Sequence, residues 1–173
     1  MFNEPGFMGD TEKLYRAIIG FKNTGYYLNY FERADTRGYT PVSWNWPAFF
    51  IGFFWLIYRK HYTWALLFIA VTLGLFTVSA ILSGLIGEES AATLQVIALL
   101  GFQNVWFPLH ANGLYYKWAQ KEIDKARTAN QGQLDAQIDQ LVVTGGVNIS
   151  PLFLFMVLLM LILSITSGLT PTT

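Results

Sequence analysis

Apolar positions in this chain gather into long unbroken blocks, separated by charged stretches with helical periodicity. The longest block, TWALLFIAVTLGLFTVSAILSGLIG (63–87), holds no charged residue. AATLQVIALLGFQNVWFPLH (91–110) is interrupted only by Gln95, Gln103 and Asn104, and PLFLFMVLLMLILSITSGL (151–169) is apolar until Ser164. A helix needs about 20 apolar residues, at about 1.5 Å rise each, to cross a bilayer. A core helix of a soluble domain would keep a polar face, and the first and third blocks have none. The pattern predicts an all-α, polytopic membrane protein with three transmembrane helices.

A fourth apolar run behaves differently. Within SWNWPAFFIGFFWLIYRKHY (43–62), the apolar part runs from Pro47 to Tyr58 and stops at Arg59 and Lys60. As a helix it would measure roughly 18 Å, short of the roughly 30 Å hydrocarbon core. Charge places it. If the run does not cross, all 11 Lys and Arg residues fall on one side, the cytoplasmic side by the positive-inside rule, with Glu88 and Glu89 opposite. The segment therefore reads as an interfacial or re-entrant helix, capped by Asn45 or Trp46, with Pro47 in its first turn. The competing reading makes it the lower half of one long kinked span ending at Gly87. Trp44, Trp46, Trp55 and Tyr58 are the expected membrane anchors, with Arg59 and Lys60 reaching lipid phosphates.

The charged stretches carry amphipathic patterns. Asp10–Gly20 reads as a helix capped by Asp10 or Thr11, with Leu14, Ile18 and Phe21 on one side. A second helix starts at Thr24, with Tyr27, Leu28 and Phe31 inward. Residues 111–130 continue the second span as a helix, with Glu122–Lys125 and Asp124–Arg127 as pairs three apart. Leu134, Ile138, Leu141 and Val142 mark a further short helix, broken by Gly145-Gly146, and Ser150-Pro151 opens the last span. The chain thus divides into an N-terminal cytoplasmic helical region (1–42), the aromatic segment (43–62), a transmembrane hairpin (63–110), a cytoplasmic helical segment (111–150), and a third transmembrane helix with a short outer tail (151–173).

Chemistry is sparse. Zero net charge gives no reason to expect nucleic acid, and the absence of cysteine excludes disulfides and thiolate metal sites. No signal peptide is visible in the first 46 residues. His61 and His110 lack ligand-spaced companions, and no nucleophile elbow or phosphate loop occurs, so no enzyme, cofactor or metal is expected. At roughly 100° per residue, Gln95, Gln103 and His110 share one face of the second span while Asn104 points away. Their expected role is interhelical hydrogen bonding; a polar path for a small solute is the alternative. Small residues at four-residue spacing in the first span (Ala70/Gly74, Ser79/Ser83/Gly87, Ala80/Gly84) suit helix packing within the chain or a seam with another copy.

Four blocks, KNTGYYLNYFERA (22–34), SWNWPAFFIGFFWLIYRKHY (43–62), ANGLYYKWAQKEIDKAR (111–127) and LVVTGGVNISP (141–151), resemble the DUF2628 family of small bacterial membrane proteins. The resemblance implies several spans, an inner-membrane location and no assigned activity. In that family a Pro often follows the Gly of the aromatic run; Phe53 stands after Gly52 here, which predicts a straighter helix. The expected function is a non-catalytic membrane scaffold or accessory subunit presenting cytoplasmic helices to a partner, with the N-terminus cytoplasmic. The alternative is a small-solute transporter or channel component. The expected partners are the lipid bilayer and a membrane protein or a second copy of the chain.

Overall fold

The chain was analysed as a computed structural model that describes the backbone of residues 5–168 and the side chains of residues 9–161. Its elements are α1 (Pro5–Ile19), α2 (Thr24–Arg37), α3 (Trp46–Tyr58), α4 (Tyr62–Ile86), α5 (Glu88–Leu100), a π-helical segment (Gly101–Trp106), α6 (Phe107–Ala129), α7 (Leu134–Thr144) and α8 (Ser150–Gly168). No strand occurs among the described residues.

Two helices, rather than the expected three, are long and apolar enough to cross a membrane among the described residues: Tyr62–Ile86, and the 42-residue rod Glu88–Ala129 formed by α5, the π segment and α6. At about 1.5 Å per residue that rod measures roughly 63 Å. The described side chains of α8 end at Leu161, leaving a shorter apolar helix. The side chains of the rest of the expected third span, and the tail Pro171–Thr173, lie outside the described residues.

α4 and α5 turn at Gly87 (φ 85°) into an antiparallel hairpin. Ala65, Phe68, Thr72, Leu75 and Ser79 of α4 recede from the surface at three- and four-residue spacing, opposite Ala91, Gln95 and Leu99 of α5. Ser79 Oγ donates to the Ala91 carbonyl at 3.1 Å. The other small residues do not form the seam. Ala70, Gly74, Ala80 and Gly84 are exposed, and a Cβ added at Gly74 or Gly84 would meet nothing within 4 Å. Leu66, Leu73, Ile81 and Leu85 also point outward, at 60–78% exposure.

The rod keeps its helical path through Pro108 by widening just before it. Proline lacks an N–H and its ring crowds the carbonyl four residues back, here Asn104, which lies within the π segment. The wider turn departs from the fixed helical angle assumed for Gln95, Gln103 and His110. Gln103 Nε2 makes a long 3.5 Å contact to Thr72 Oγ1 of α4. His110 folds onto its own helix, with Nδ1 2.7 Å from the Trp106 carbonyl and its ring stacked on that indole.

Around the protruding half of the rod, α1, α2, α3 and α7 bury a single core of Leu14, Ile18, Ile19, Tyr27, Phe31, Trp55, Tyr115, Ala119, Ile123 and Leu141. α1 starts at Pro5, ahead of the expected Asp10 or Thr11 cap, and Phe21 is 81% exposed beyond its end at Gly20 (φ 72°). α7 buries Leu141 but leaves Val142 exposed, because adjacent helical positions diverge by about 100°. Gly145 and Gly146 do more than end α7. The Gly146 N–H donates to the Ile18 carbonyl at 2.9 Å, and a Cβ at Gly145 would stand 2.0 Å from that oxygen.

α3 is bent, not straightened. Gly52 departs from helical geometry (φ 19°, ψ −96°) and divides the segment into two short arms. The first leaves the rod where Ser43 and Asn45 N–H groups donate to the Leu109 and Pro108 carbonyls. At the bend, Gly52 and Phe53 lie on Phe68, which packs on Phe102. The second arm returns through Trp55, which meets Phe107 and Tyr115, to Arg59. A turn at Lys60 (φ 62°) then separates α3 from α4, so the two do not form one kinked span.

Candidate functional site

The ends of α3 meet in a buried polar knot within this core. Arg59 is 1% exposed. Its Nη1 donates to the Ile19 carbonyl at 3.1 Å and its Nη2 to the Lys22 carbonyl at 2.9 Å. The guanidinium lies 4.4 Å from the Tyr27 ring centroid and 5.3 Å from that of Tyr115. Among the described residues the charge is held without a carboxylate: α1 ends at Ile19, and its unpaired terminal carbonyls and negative dipole end supply the field. Two faces of π density complete the enclosure. Lys60 does the same for α7, donating from Nζ to the Val143 carbonyl at 3.0 Å. The two cations expected to reach lipid phosphates are therefore helix C-terminal caps.

At the other end of α3, Asn45 accepts from the Ala48 N–H at 2.9 Å, confirming it as the cap. Its amide nitrogen donates to Asn112 Oδ1 at 2.8 Å. Asn112 in turn donates to Tyr26 OH and Ser43 Oγ, each at 2.7 Å. Trp55 Nε1 donates to Tyr27 OH at 3.3 Å. Both asparagines are 0% exposed, and the paired side chains satisfy groups that burial would otherwise penalise by about 1–3 kcal/mol each.

His61 sits beside this knot, 3% exposed and ringed by Trp118 (4.5 Å), Tyr115 (5.0 Å) and Trp55 (5.9 Å). Neither ring nitrogen has a protein partner among the described residues. Burial, with Arg59 nearby as the smaller cause, pushes its pKa down to about 3, so the imidazole is neutral. Burial likewise pushes the Tyr115 hydroxyl upward, partly opposed by Arg59.

A second polar cluster ties α1 and α2 to α6. Asp35 accepts from Tyr15 OH at 2.7 Å and from Tyr116 OH, and Gln120 Nε2 donates to Tyr116 OH at 3.0 Å. Burial and then the Asp35 hydrogen bond raise the Tyr116 pKa to about 12, and the same two causes raise that of Tyr15. These hydroxyls are donors fixed on a carboxylate, an arrangement that holds helices together. No group of three or more His, Cys, Asp or Glu residues that could hold a metal occurs among the described residues.

The expected anchors thus separate into two sets. Trp55 and Arg59 are interior, at 2% and 1% exposure. Trp46 is 61% exposed and stacks on Phe50, which is 72% exposed, with Trp44 packed 5.7 Å from Trp46. The Tyr58 carbonyl accepts from the Asn148 N–H at 2.8 Å, and the Tyr58 and Lys60 side chains are half-buried. Gln95, Gln103, Asn104 and His110 are half-buried along the rod. Missing from the sequence reading were Asn112, Tyr115 and His61 as interior groups. The signal was there for all three: Asn112 and Tyr115 in ANGLYY and His61 in the 43–62 block lie in the blocks that carry the family resemblance, and Asn112 meets Asn45 of SWNW across 67 positions.

No curated protein matches the chain, and no solved structure matches it. The family model described as "Protein of unknown function (DUF2628)" matches residues 13–121, which take in the second half of α1, α2, the bent α3, the hairpin and about two thirds of α6, and so every residue of the Arg59 and Asn45–Asn112 knot. The chain belongs to the DUF2628 family.

Proposed function

We propose that the chain is an integral membrane scaffold of the bacterial inner membrane, with its N-terminus in the cytoplasm, that holds a rigid helical head at a fixed height above the bilayer. The rod Glu88–Ala129 carries this reading. It is about twice as long as the hydrocarbon core is thick, and its two halves differ in kind. The half beside α4 exposes Val96, Ile97 and Leu100, at 55–61%, whereas the outer half buries Tyr115, Ala119, Ile123 and Ala126 in the core. Apolar surface of that extent calls for lipid on the first half. The head rests on the second.

In this topology α4 and α5 cross, Glu88 and Glu89 face outward, and all 11 basic residues remain inside. α3 enters and leaves from the cytoplasmic side, its exposed Trp46–Phe50 face toward lipid, and α8 forms a third span. The head presents the exposed face of α6, including Lys121 and Asp124, to a membrane-protein partner. Purification from native membranes in mild detergent tests the function. A stoichiometric partner that is lost when Lys121 and Asp124 are charge-reversed fits a scaffold. A lone oligomer that conducts a solute in liposomes, with flux abolished by Gln103→Leu, would replace it with the transport reading.

A further inference from the structure

Beside His61 the head leaves a cavity of about 430 Å³, at the level where α4 emerges from the hairpin. Its lower wall is Trp64 and Leu67 of α4, and its upper wall is Trp118, Lys117 and Lys121 of α6. Two further lysines on its rim are already engaged: Lys125 with Glu122 at 2.7 Å and Lys60 with the Val143 carbonyl. Lys117 and Lys121 are exposed and have no carboxylate partner among the described residues. His61 lines the same cavity with two unpartnered ring nitrogens. One wall is therefore apolar, the opposite wall carries two cations without a carboxylate partner among the described residues, and the buried His61 ring is part of the lining.

We propose that this cavity binds a phosphate-bearing anion, with Lys117 and Lys121 on the phosphate oxygens and the His61 imidazole N–H as a third donor. Lysine acts on phosphate as a point charge, with no need of a planar fork, and suits a ligand held from one side. Two sources share this chemistry: the headgroup of an anionic phospholipid, whose acyl chains would run down Trp64 and Leu67, or a free phosphate. The lipid source rests on the membrane-inserted reading of α4; the phosphate source does not.

The full chain in neutral detergent can be titrated with dihexanoyl phosphatidylglycerol, with dihexanoyl phosphatidylcholine and with inorganic phosphate, following tryptophan fluorescence, to which Trp64 and Trp118 of the cavity contribute. At least one of phosphatidylglycerol and phosphate should saturate. The Lys117→Gln/Lys121→Gln double variant should weaken that binding about 30-fold, about 5-fold for each lysine near a phosphate. A Lys13→Gln/Arg37→Gln control, with the same change in net charge, should alter it less than about 2-fold. Saturation by phosphatidylglycerol, at least 10-fold tighter than by phosphatidylcholine, assigns the lipid. Saturation by phosphate, with displacement by phosphatidylglycerol no stronger than by phosphatidylcholine, assigns the free anion and keeps the site even if membrane insertion fails. The proposal is overturned if neither anion saturates, if phosphatidylglycerol and phosphatidylcholine bind alike without phosphate binding, or if the lysine variant matches the control.

Discussion

Arg59 distinguishes two pictures of the aromatic segment. If it caps α1 from inside the head, Arg59→Ala strands the Ile19 carbonyl, which is buried, and the Lys22 carbonyl, which is partly so. A buried unpaired acceptor costs about 1–3 kcal/mol. The half-wet Lys22 oxygen costs less, and the aliphatic stem and its stacking on Tyr27 and Tyr115 add about 1 kcal/mol. The expected loss is about 3 kcal/mol. Arg59→Lys should recover about half, because an ammonium keeps the charge but cannot fork to both carbonyls. Unfolding of the full chain in neutral detergent, followed by near-ultraviolet circular dichroism, reads these losses directly, since Trp55 and Tyr115 pack on the site. A surface Arg59 held by lipid phosphates would behave otherwise: each such contact is worth about 1 kcal/mol and needs anionic lipid. A loss below about 1 kcal/mol in neutral detergent, growing only when anionic lipid is added, would refute the interior cap.

Two other perturbations follow from the geometry. Gly145→Ala places a Cβ 2.0 Å from the Ile18 oxygen; separating α7 from α1 should cost at least about 3 kcal/mol on the scale of overpacking, and an unchanged midpoint in chemical denaturation would refute that close approach. His61 has a folded pKa near 3 against about 6.5 unfolded. Its neutral form therefore contributes stability that is fully present above pH 6.5 and lost as pH falls toward 3, on the order of 5 kcal/mol in total. His61→Phe should remove that part of the acid limb from stability profiles measured between pH 7 and 4. Superimposable acid limbs for the two proteins would show that His61 is not buried neutral.

Local pattern revealed what local physics decides. The Asn45 cap, the start of α2 at Thr24, the breaks at Gly20 and Gly145-Gly146 and the Glu122–Lys125 pair follow from neighbours a few residues apart. The roles of Arg59 and Lys60 were misread because an apolar run followed by cations looks the same whether the cations meet phosphates or helix ends. What decides is the position of carbonyls 40 and 83 residues away. The π segment ahead of Pro108 was not legible for a different reason: a fixed turn angle cannot anticipate it. The bend at Gly52 arises because both arms of α3 are tied to α6, a constraint held by contacts such as Asn45–Asn112 rather than by the residue after the glycine.

The membrane-borne head is tested most directly by site-specific labelling, for which a chain without cysteine is suited. Single cysteines at Arg37, Glu89 and Gln131 can be exposed to a membrane-impermeant maleimide in intact cells and again after permeabilisation. The account predicts that Glu89→Cys is labelled in intact cells, while Arg37→Cys and Gln131→Cys are labelled only after permeabilisation. Labelling of Arg37→Cys in intact cells, or protection of Glu89→Cys there, would contradict it.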